Sequence, residues 1–416
     1  MFETTYLGTT KLPSTTADEK RLAAYRMDVA RVVRERDTTR PEYALAHPTL
    51  PLVTSLRAQL RTFASVRHVI VVGIGGSSLG LEALHTTLAT DEHPKLTVLD
   101  MITPAALTAV STALRGVKKV SQVAVCIISK SGTTTETLAN ASVILRLLEA
   151  QYGRDIHSRV IYIGNPGTPL AKVAKKQGSH YLPMPTMVGG RFSVTTEVAL
   201  VPLVLLNHAV EAIVSGMVRS NDSVAEEAVA VRSVQLHAFL RSGYRHFNFF
   251  AFEARLYKLG CWYRQLFAES LGKATTRDGK PVKVGMLPTI STPVELHSVG
   301  QLYLAAFPGV LTEFVTVDDN GADYKIGPTS IAPHLKKFTL EEVSTALYGG
   351  VVSAYQAQGL PYRATVLSED VPAALGYYLG AAMREVMYVA HLMNVDAFDQ
   401  PNVELYKDKT RALLGL

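Results

Sequence analysis

An α/β protein with two mainly parallel sheets flanked by helices, and with helical extensions at both ends, is the fold this chain predicts. Three observations carry the prediction. An apolar run, a polar loop and an amphipathic stretch recur in that order along the chain. The 416 residues exceed what one ordinary core holds, so two domains are expected. With 47% hydrophobic and 19% charged residues, there is enough apolar surface for sizeable cores.

Residues 1–45 are polar and charged and read as an extension packed on the main body, with a helix near 17–36. The first half, 46–218, opens on the apolar run 68–72, which leads into a glycine-rich turn and a helix-like stretch. The grammar repeats at 123–128 before a Ser/Thr-rich loop, and at 160–163 before Asn165-Pro166-Gly167. One helical stretch over 197–218 closes this half, and a helix at 221–239 marks the boundary. The second half, 219–393, shows strands at 246–251, 311–317 and 362–367 and long helices at 253–271, 339–358 and 371–393. Asp278-Gly279 reads as a hairpin turn, and Asp318-Asp319 as a solvated turn before Asn320-Gly321. A tail helix is expected in 394–416.

Composition narrows the function. The net charge of +6 suits an anionic substrate or simply a basic surface. Basic residues pair only in short runs such as Lys118-Lys119, Lys175-Lys176 and Lys336-Lys337, so nucleic-acid binding is not expected. Cys126 and Cys261 each lie in apolar stretches and read as buried free thiols, as in a reducing compartment. The first residues lack the order of a signal peptide, and the apolar run 198–206 is interrupted by Pro202 and falls short of the roughly 18 residues of a membrane span. A soluble, cytoplasmic protein without membrane contact is expected.

Chemistry concentrates in three places. In GIGGSSLG (73–80), glycines after a strand let backbone approach a ligand, and the helix start that follows favours an anion; a tight structural turn is the other reading. The spacing is not the G-x-G-x-x-G of a dinucleotide site, because position 78 is Ser. In SKSGTTTET (129–137), six hydroxyl side chains and a lysine crowd a strand mouth. Thr133 and Glu136 have capping-box spacing, and hydroxyls with free N–H groups at a helix start make a phosphate cradle. In AESLGK (268–273), Glu269 shares a helix face with Gln265, four residues back, among apolar neighbours. Partial burial there suits a proton-transferring base; a solvated glutamate near a helix end is the alternative.

Taken together and in order, GIGGSSLG, SKSGTTTET, GGRFSVTT, AESLGK, LHSVGQ and FDQPNVELYK resemble the glucose-6-phosphate isomerase family, in its compact bacterial form. These blocks run from residue 73 to 407. The resemblance implies two sugar-isomerase (SIS) domains with the site between them, and a working homodimer. It implies a phosphate held by Ser129, the Lys130 backbone, Ser131 and Thr134, with Ser77 and the Gly75-Gly76 backbone nearby. Glu269 then corresponds to the base that moves a proton between C2 and C1, and Arg191 to the cation beside the enediolate. His297, reaching the partner subunit's site, and Lys407 correspond to the groups that open and close the ring. Gln265 and Gln400 correspond to substrate-contacting glutamines. Gln400 and Lys407, seven residues apart, would face one site if a single unbroken helix carried both.

Those residue types suit the implied reaction: a carboxylate moves protons, a guanidinium stays charged beside an enediolate, and a histidine trades a proton with a ring oxygen. No metal, nucleotide or redox cofactor is implied. Departures from the family pattern fall at Ser131-Gly132, Leu271 and Tyr406, and bear on loop shape and on the choice among sugars such as mannose 6-phosphate. A sugar-phosphate sensor would need the cradle but not Glu269, Arg191, His297 and Lys407 together.

Overall fold

The computed structural model describes residues 2–415 apart from 306, 308, 319–322, 329, 330 and 369. Of the turn expected at Asp318-Asp319 before Asn320-Gly321, all but Asp318 lies outside the described residues.

Ten strands form two five-stranded sheets among the described residues. In chain order they are β1 (Phe2–Tyr6), β2 (His68–Val72), β3 (Lys95–Leu99), β4 (Val123–Ile128), β5 (Val160–Gly164), β6 (His180–Pro183), β7 (His246–Ala251), β8 (Leu287–Ser291), β9 (Val310–Val317) and β10 (Tyr362–Leu367). The first sheet runs β3-β2-β4-β5-β6, parallel throughout. The second runs β1-β10-β9-β7-β8, parallel except for β1. The N-terminal residues, read as an extension, thus supply an antiparallel edge strand, Tyr6 opposite Tyr362, before the helix Thr16–Glu35.

The central strands are apolar without alternation because both of their faces are covered. Val69 and Val71 of β2 enter a core shared with β7, β9 and the long helix Val371–Leu392. Ile70 and Val72 enter a second core beneath the helices Pro104–Ala113, Thr135–Tyr152 and Pro169–Gln177. A third cluster, around Phe250, Phe252 and Phe314, is closed by the helix Leu340–Ala357, whose start is a capping box of Thr339 and Glu342.

The single helical stretch expected over 197–218 is two helices, Glu197–Leu205 and Val210–Arg219. Asn207 breaks it at φ 60°, a left-handed conformation that asparagine tolerates. The turn lets the second helix cross Val371–Leu392 at backbone contact. A Cβ at Gly376 would lie 1.9 Å from the Ile213 carbonyl oxygen, and one at Gly216 1.9 Å from that of Ala373. This crossing joins the two halves. The Asp278-Gly279 turn forms as expected, with Gly279 at φ 74° between bridged Thr275 and Pro281. Cys126 and Cys261 are both free and buried. No helix among the described residues is long and apolar enough to cross a membrane.

Candidate functional site

β2 pairs with β3 on one side and with β4 on the other. The chain therefore changes direction between β2 and β4, and the loops leaving their carboxyl ends diverge there, the place where open parallel sheets receive ligands. The loop after β4 is organised by its own hydroxyls. Ser129 Oγ meets Thr134 Oγ1 at 2.9 Å and accepts from the Gly132 N–H at 3.1 Å. Gly132 sits at φ 69°, which favours glycine. Ser131 Oγ accepts from the Thr133 N–H and hydroxyl at 3.2 and 2.9 Å. The capping box expected of Thr133 and Glu136 does not form: the helix starts at Thr135, Thr134 is its N-cap, and no side chain caps it. Thr133 instead turns back to Ser131. First-turn N–H groups without a side-chain cap favour an anion.

The loop after β2 meets two other segments. Gly75, at φ 60°, leaves room for Gln265, since a Cβ there would lie 2.9 Å from Gln265 Nε2. A Cβ at Gly76 would lie 2.1 Å from the Gly190 carbonyl carbon, and Ser193 Oγ donates to the Gly76 carbonyl at 3.0 Å. Ser77, half-buried, ends this 3-10 turn.

Those neighbours carry the charged groups. The helix Tyr257–Leu271 buries Leu259, Trp262, Tyr263, Leu266 and Phe267, which leaves Gln265 and Glu269 on its more open face. Gln265 Nε2 donates to Glu269 Oε1 at 2.9 Å. Arg191 Nη1 donates to Glu269 Oε2 and to Gln400 Oε1, each at 3.1 Å. The Arg191 side chain is 2% exposed and that of Glu269 32%. The guanidinium is fixed further by Ser270 Oγ at 2.7 Å, the Asp399 carbonyl at 3.0 Å and the Ala397 carbonyl. Burial pulls the Arg191 guanidinium below its ordinary value, against the pull of Glu269. Burial, then the Arg191 cation, lowers the Lys130 ammonium, so the cradle lies within electrostatic reach of Arg191. Gln265 Oε1 is buried with no hydrogen-bond partner among the described residues.

The structure thus brings Gln265, Glu269, Arg191 and Gln400 together, with Gly75 and Gly76 against them. Two residues stand apart. His297 ends the 3-10 turn Pro293–His297, exposed beside exposed Val294. Lys407 donates to Glu404 at 2.7 Å. The condition that would set Gln400 and Lys407 on one helix face is not met: Gln400 lies at φ −156° before the tail helix, Glu404–Leu413, which carries Lys407. Sequence reasoning passed over Ser270, Lys273 and Asp399. Lys273 stands four residues after Glu269 and donates to its carbonyl at 2.8 Å, a spacing that was available as a signal.

Two mainly parallel sheets, a hydroxyl-lined loop at a strand switch point and a carboxylate held beside a buried guanidinium define a phosphosugar-isomerase type of protein. Residues 52–293 match the phosphoglucose isomerase family. A glucose-6-phosphate isomerase of Thermus thermophilus is 30% identical over 90% of this chain and 91% of its own. A probable glucose-6-phosphate isomerase of Haloarcula marismortui is 31% identical over 84% of this chain and 79% of its own. The crystal structure of a hypothetical protein from Thermus thermophilus superposes with a TM-score of 0.84 at 28% identity, covering 99% of this chain and 100% of that one. A glucose-6-phosphate isomerase from Chlamydia trachomatis shares the fold, with a TM-score of 0.79 at 19% identity over 96% of this chain and 84% of its own. The chain belongs to the phosphoglucose isomerase family, and by that membership is an aldose–ketose isomerase.

Proposed function

We propose that this protein interconverts glucose 6-phosphate and fructose 6-phosphate, in glycolysis and gluconeogenesis in the cytoplasm, with two SIS domains (46–218 and 219–393) forming the site. The observation that carries the reading is the convergence of Arg191 and Gln265 on Glu269, with Gln400 on Arg191 and the Gln265 Oε1 acceptor left over for a sugar hydroxyl.

Ser129, the Lys130 N–H, Ser131 and Thr134 hold the phosphate, with Ser77 and the Gly75-Gly76 backbone close by, and so supply binding energy remote from the reacting carbons. Glu269 removes the C2 proton of the open-chain aldose and returns it to C1, while the hydroxyl proton of O2 moves to O1 to give the ketose. Charge accumulates on O1 and O2 in between. The Arg191 guanidinium, its five N–H groups held by protein acceptors, meets that charge as a fixed cation and needs no reorganisation. His297 acts in the partner subunit's site of a homodimer, and its exposed position supports that assignment. Lys407 assists ring opening once it leaves Glu404.

The test is conversion of fructose 6-phosphate to glucose 6-phosphate by the purified protein, wild type beside Glu269→Gln. Turnover without added metal is expected, with a loss of about 10²-fold or more in the variant. Binding without turnover by the wild type would replace the isomerase with a sensor, and full activity in the variant would remove Glu269 from the base role.

A further inference from the structure

We propose that Lys273 and Asp399 form a latch that holds segment 396–400 across the end of the helix carrying Glu269, with Lys273 as a positioning residue. The inference rests on the isomerase reading above.

The Lys273 side chain is 6% exposed, yet it carries an ammonium. Nζ donates to the Glu269 carbonyl at 2.8 Å, lies 2.7 Å from Asp399 Oδ1 and donates to the Asp399 carbonyl. A lysine has three N–H donors, and here they meet three protein acceptors. Among the described residues its polar contacts are all to main chain or to Asp399, and none is to Glu269's carboxylate or to the loop proposed to hold the phosphate, so Lys273 acts through the segments it ties.

The location gives the latch its effect. The last carbonyls of a helix lack partners within it, and a cation there is favourable. Gly272 ends the helix tightly, since a Cβ at that position would lie 2.5 Å from the Ala268 carbonyl oxygen. Lys273 is thereby returned under Glu269 and fixes the main chain from which the carboxylate projects. On its other side, the Asp399 carbonyl accepts from both Lys273 and Arg191, and the Phe398 ring packs on Phe192 at 5.2 Å. One knot therefore joins the 189–193 loop, the end of the Glu269 helix and segment 396–400. It sets Gln400 beside Arg191 and fixes where the C-terminal segment bearing Lys407 departs. Without the ammonium, Arg191 still holds the Ala397 and Asp399 carbonyls, so the segment loosens rather than detaches.

The experiment compares Lys273→Met, Lys273→Arg, Asp399→Asn and the Lys273→Met/Asp399→Asn double variant in the full-length protein. It uses steady-state kinetics with fructose 6-phosphate and hydrogen exchange followed by mass spectrometry. The expected result is faster exchange in 396–403 with the Val371–Leu392 helix unchanged. It includes a kcat lower by about 10- to 100-fold with KM within about threefold. Lys273→Arg should recover part of kcat, and the double variant should be no worse than the poorer single one. Unchanged kcat, a rise in KM alone, or faster exchange throughout the chain would each overturn the latch. A wild type that does not isomerise would sink the isomerase reading instead, and the exchange pattern would still decide whether the latch exists.

Discussion

The molecule holds two clusters of arginine and glutamate that differ in what surrounds them. Beneath the second sheet, Arg232 and Arg363 face Glu313 and Glu385: Arg232 meets Glu313 at 2.6 Å and Glu385 at 3.1 Å, and Arg363 meets Glu385 at 2.8 Å. Two positive and two negative groups are balanced there, with every side chain 10% exposed or less. At the other cluster, Arg191 is as deeply buried, but Glu269 reaches solvent and a neighbouring amide oxygen is unused. Close ion pairing therefore does not mark a site. A fixed cation beside a reachable carboxylate does, because a reacting group must meet both substrate and a stabilising charge.

The largest expected effect breaks the balanced cluster. Glu385→Gln leaves two buried guanidinium groups facing one carboxylate, and removing one partner of a buried ionic group costs about 3–5 kcal/mol. Urea unfolding should show that loss. A variant as stable as wild type would mean that water or rearrangement relieves the charge. Glu269→Gln should cost less than Glu385→Gln, because Arg191 keeps its four other acceptors and the Glu269 side chain is 32% exposed, while activity falls.

Arg191→Lys sharpens the other side. A lysine supplies three donors where the guanidinium reaches Ser270, Glu269, Gln400 and two carbonyls. A kcat lower by about 10²-fold is expected, with KM for the sugar phosphate little changed because the phosphate cradle is a separate loop. A folded variant with unchanged kcat would remove Arg191 from the chemistry.

How much of this was legible depends on burial. β2, β4 and β7 stand out as largely apolar runs, β9 and β10 carry the charged Glu313 and Arg363 among apolar residues, and all five match their expected bounds within a residue because most of their residues are buried. β3, β6 and β8 are half-buried and begin with Lys95, His180 and Leu287-Pro288, so no run announces them. β1 is a polar edge. Within the site, the i,i+4 pair of Gln265 and Glu269 was readable from helix geometry. The contact of Arg191 with Gln400 spans 209 residues and has no local signature; only the family resemblance brought the two into one site. The Gln400–Lys407 spacing carries no helix-face information because the helix starts after Gln400, where Pro401 opens a 3-10 turn.

A third prediction concerns pH and a region that neither cluster includes. His85 Nδ1 and His208 Nε2 share one proton at 2.8 Å, and His93 stacks on His208. Burial, then neighbouring histidines, holds His85 down to about 4 and His208 down to about 3. Both lie below the ordinary 6.5 of an unfolded histidine, so the unfolded chain binds the extra protons. Stability is full above pH 6.5 and is lost as pH falls toward 4, by up to about 1.4 kcal/mol per pH unit for each ring. His68, held down to about 4 by burial, adds in the same direction. Urea midpoints between pH 7 and 4 should trace that slope. A His85→Leu/His208→Leu variant should flatten it, and an unchanged slope would place the acid sensitivity elsewhere.

The smallest expected effect lies at the edge of the proposed site, where Glu404 holds Lys407. The two side chains are 54% and 34% exposed, and an exposed pair of this kind contributes about 0–1 kcal/mol. Glu404→Gln should therefore leave the urea midpoint within about 0.5 kcal/mol of wild type. The kinetic outcome is the informative one. If Lys407 serves ring opening only after leaving Glu404, Glu404→Gln keeps kcat or raises it slightly, whereas Lys407→Met lowers it with the ring-closed substrate. If the two variants lower kcat alike, Glu404 holds the ammonium in its working position, and the pair belongs to the catalytic arrangement. If neither changes kcat, Lys407 is a surface lysine, and ring opening rests on His297.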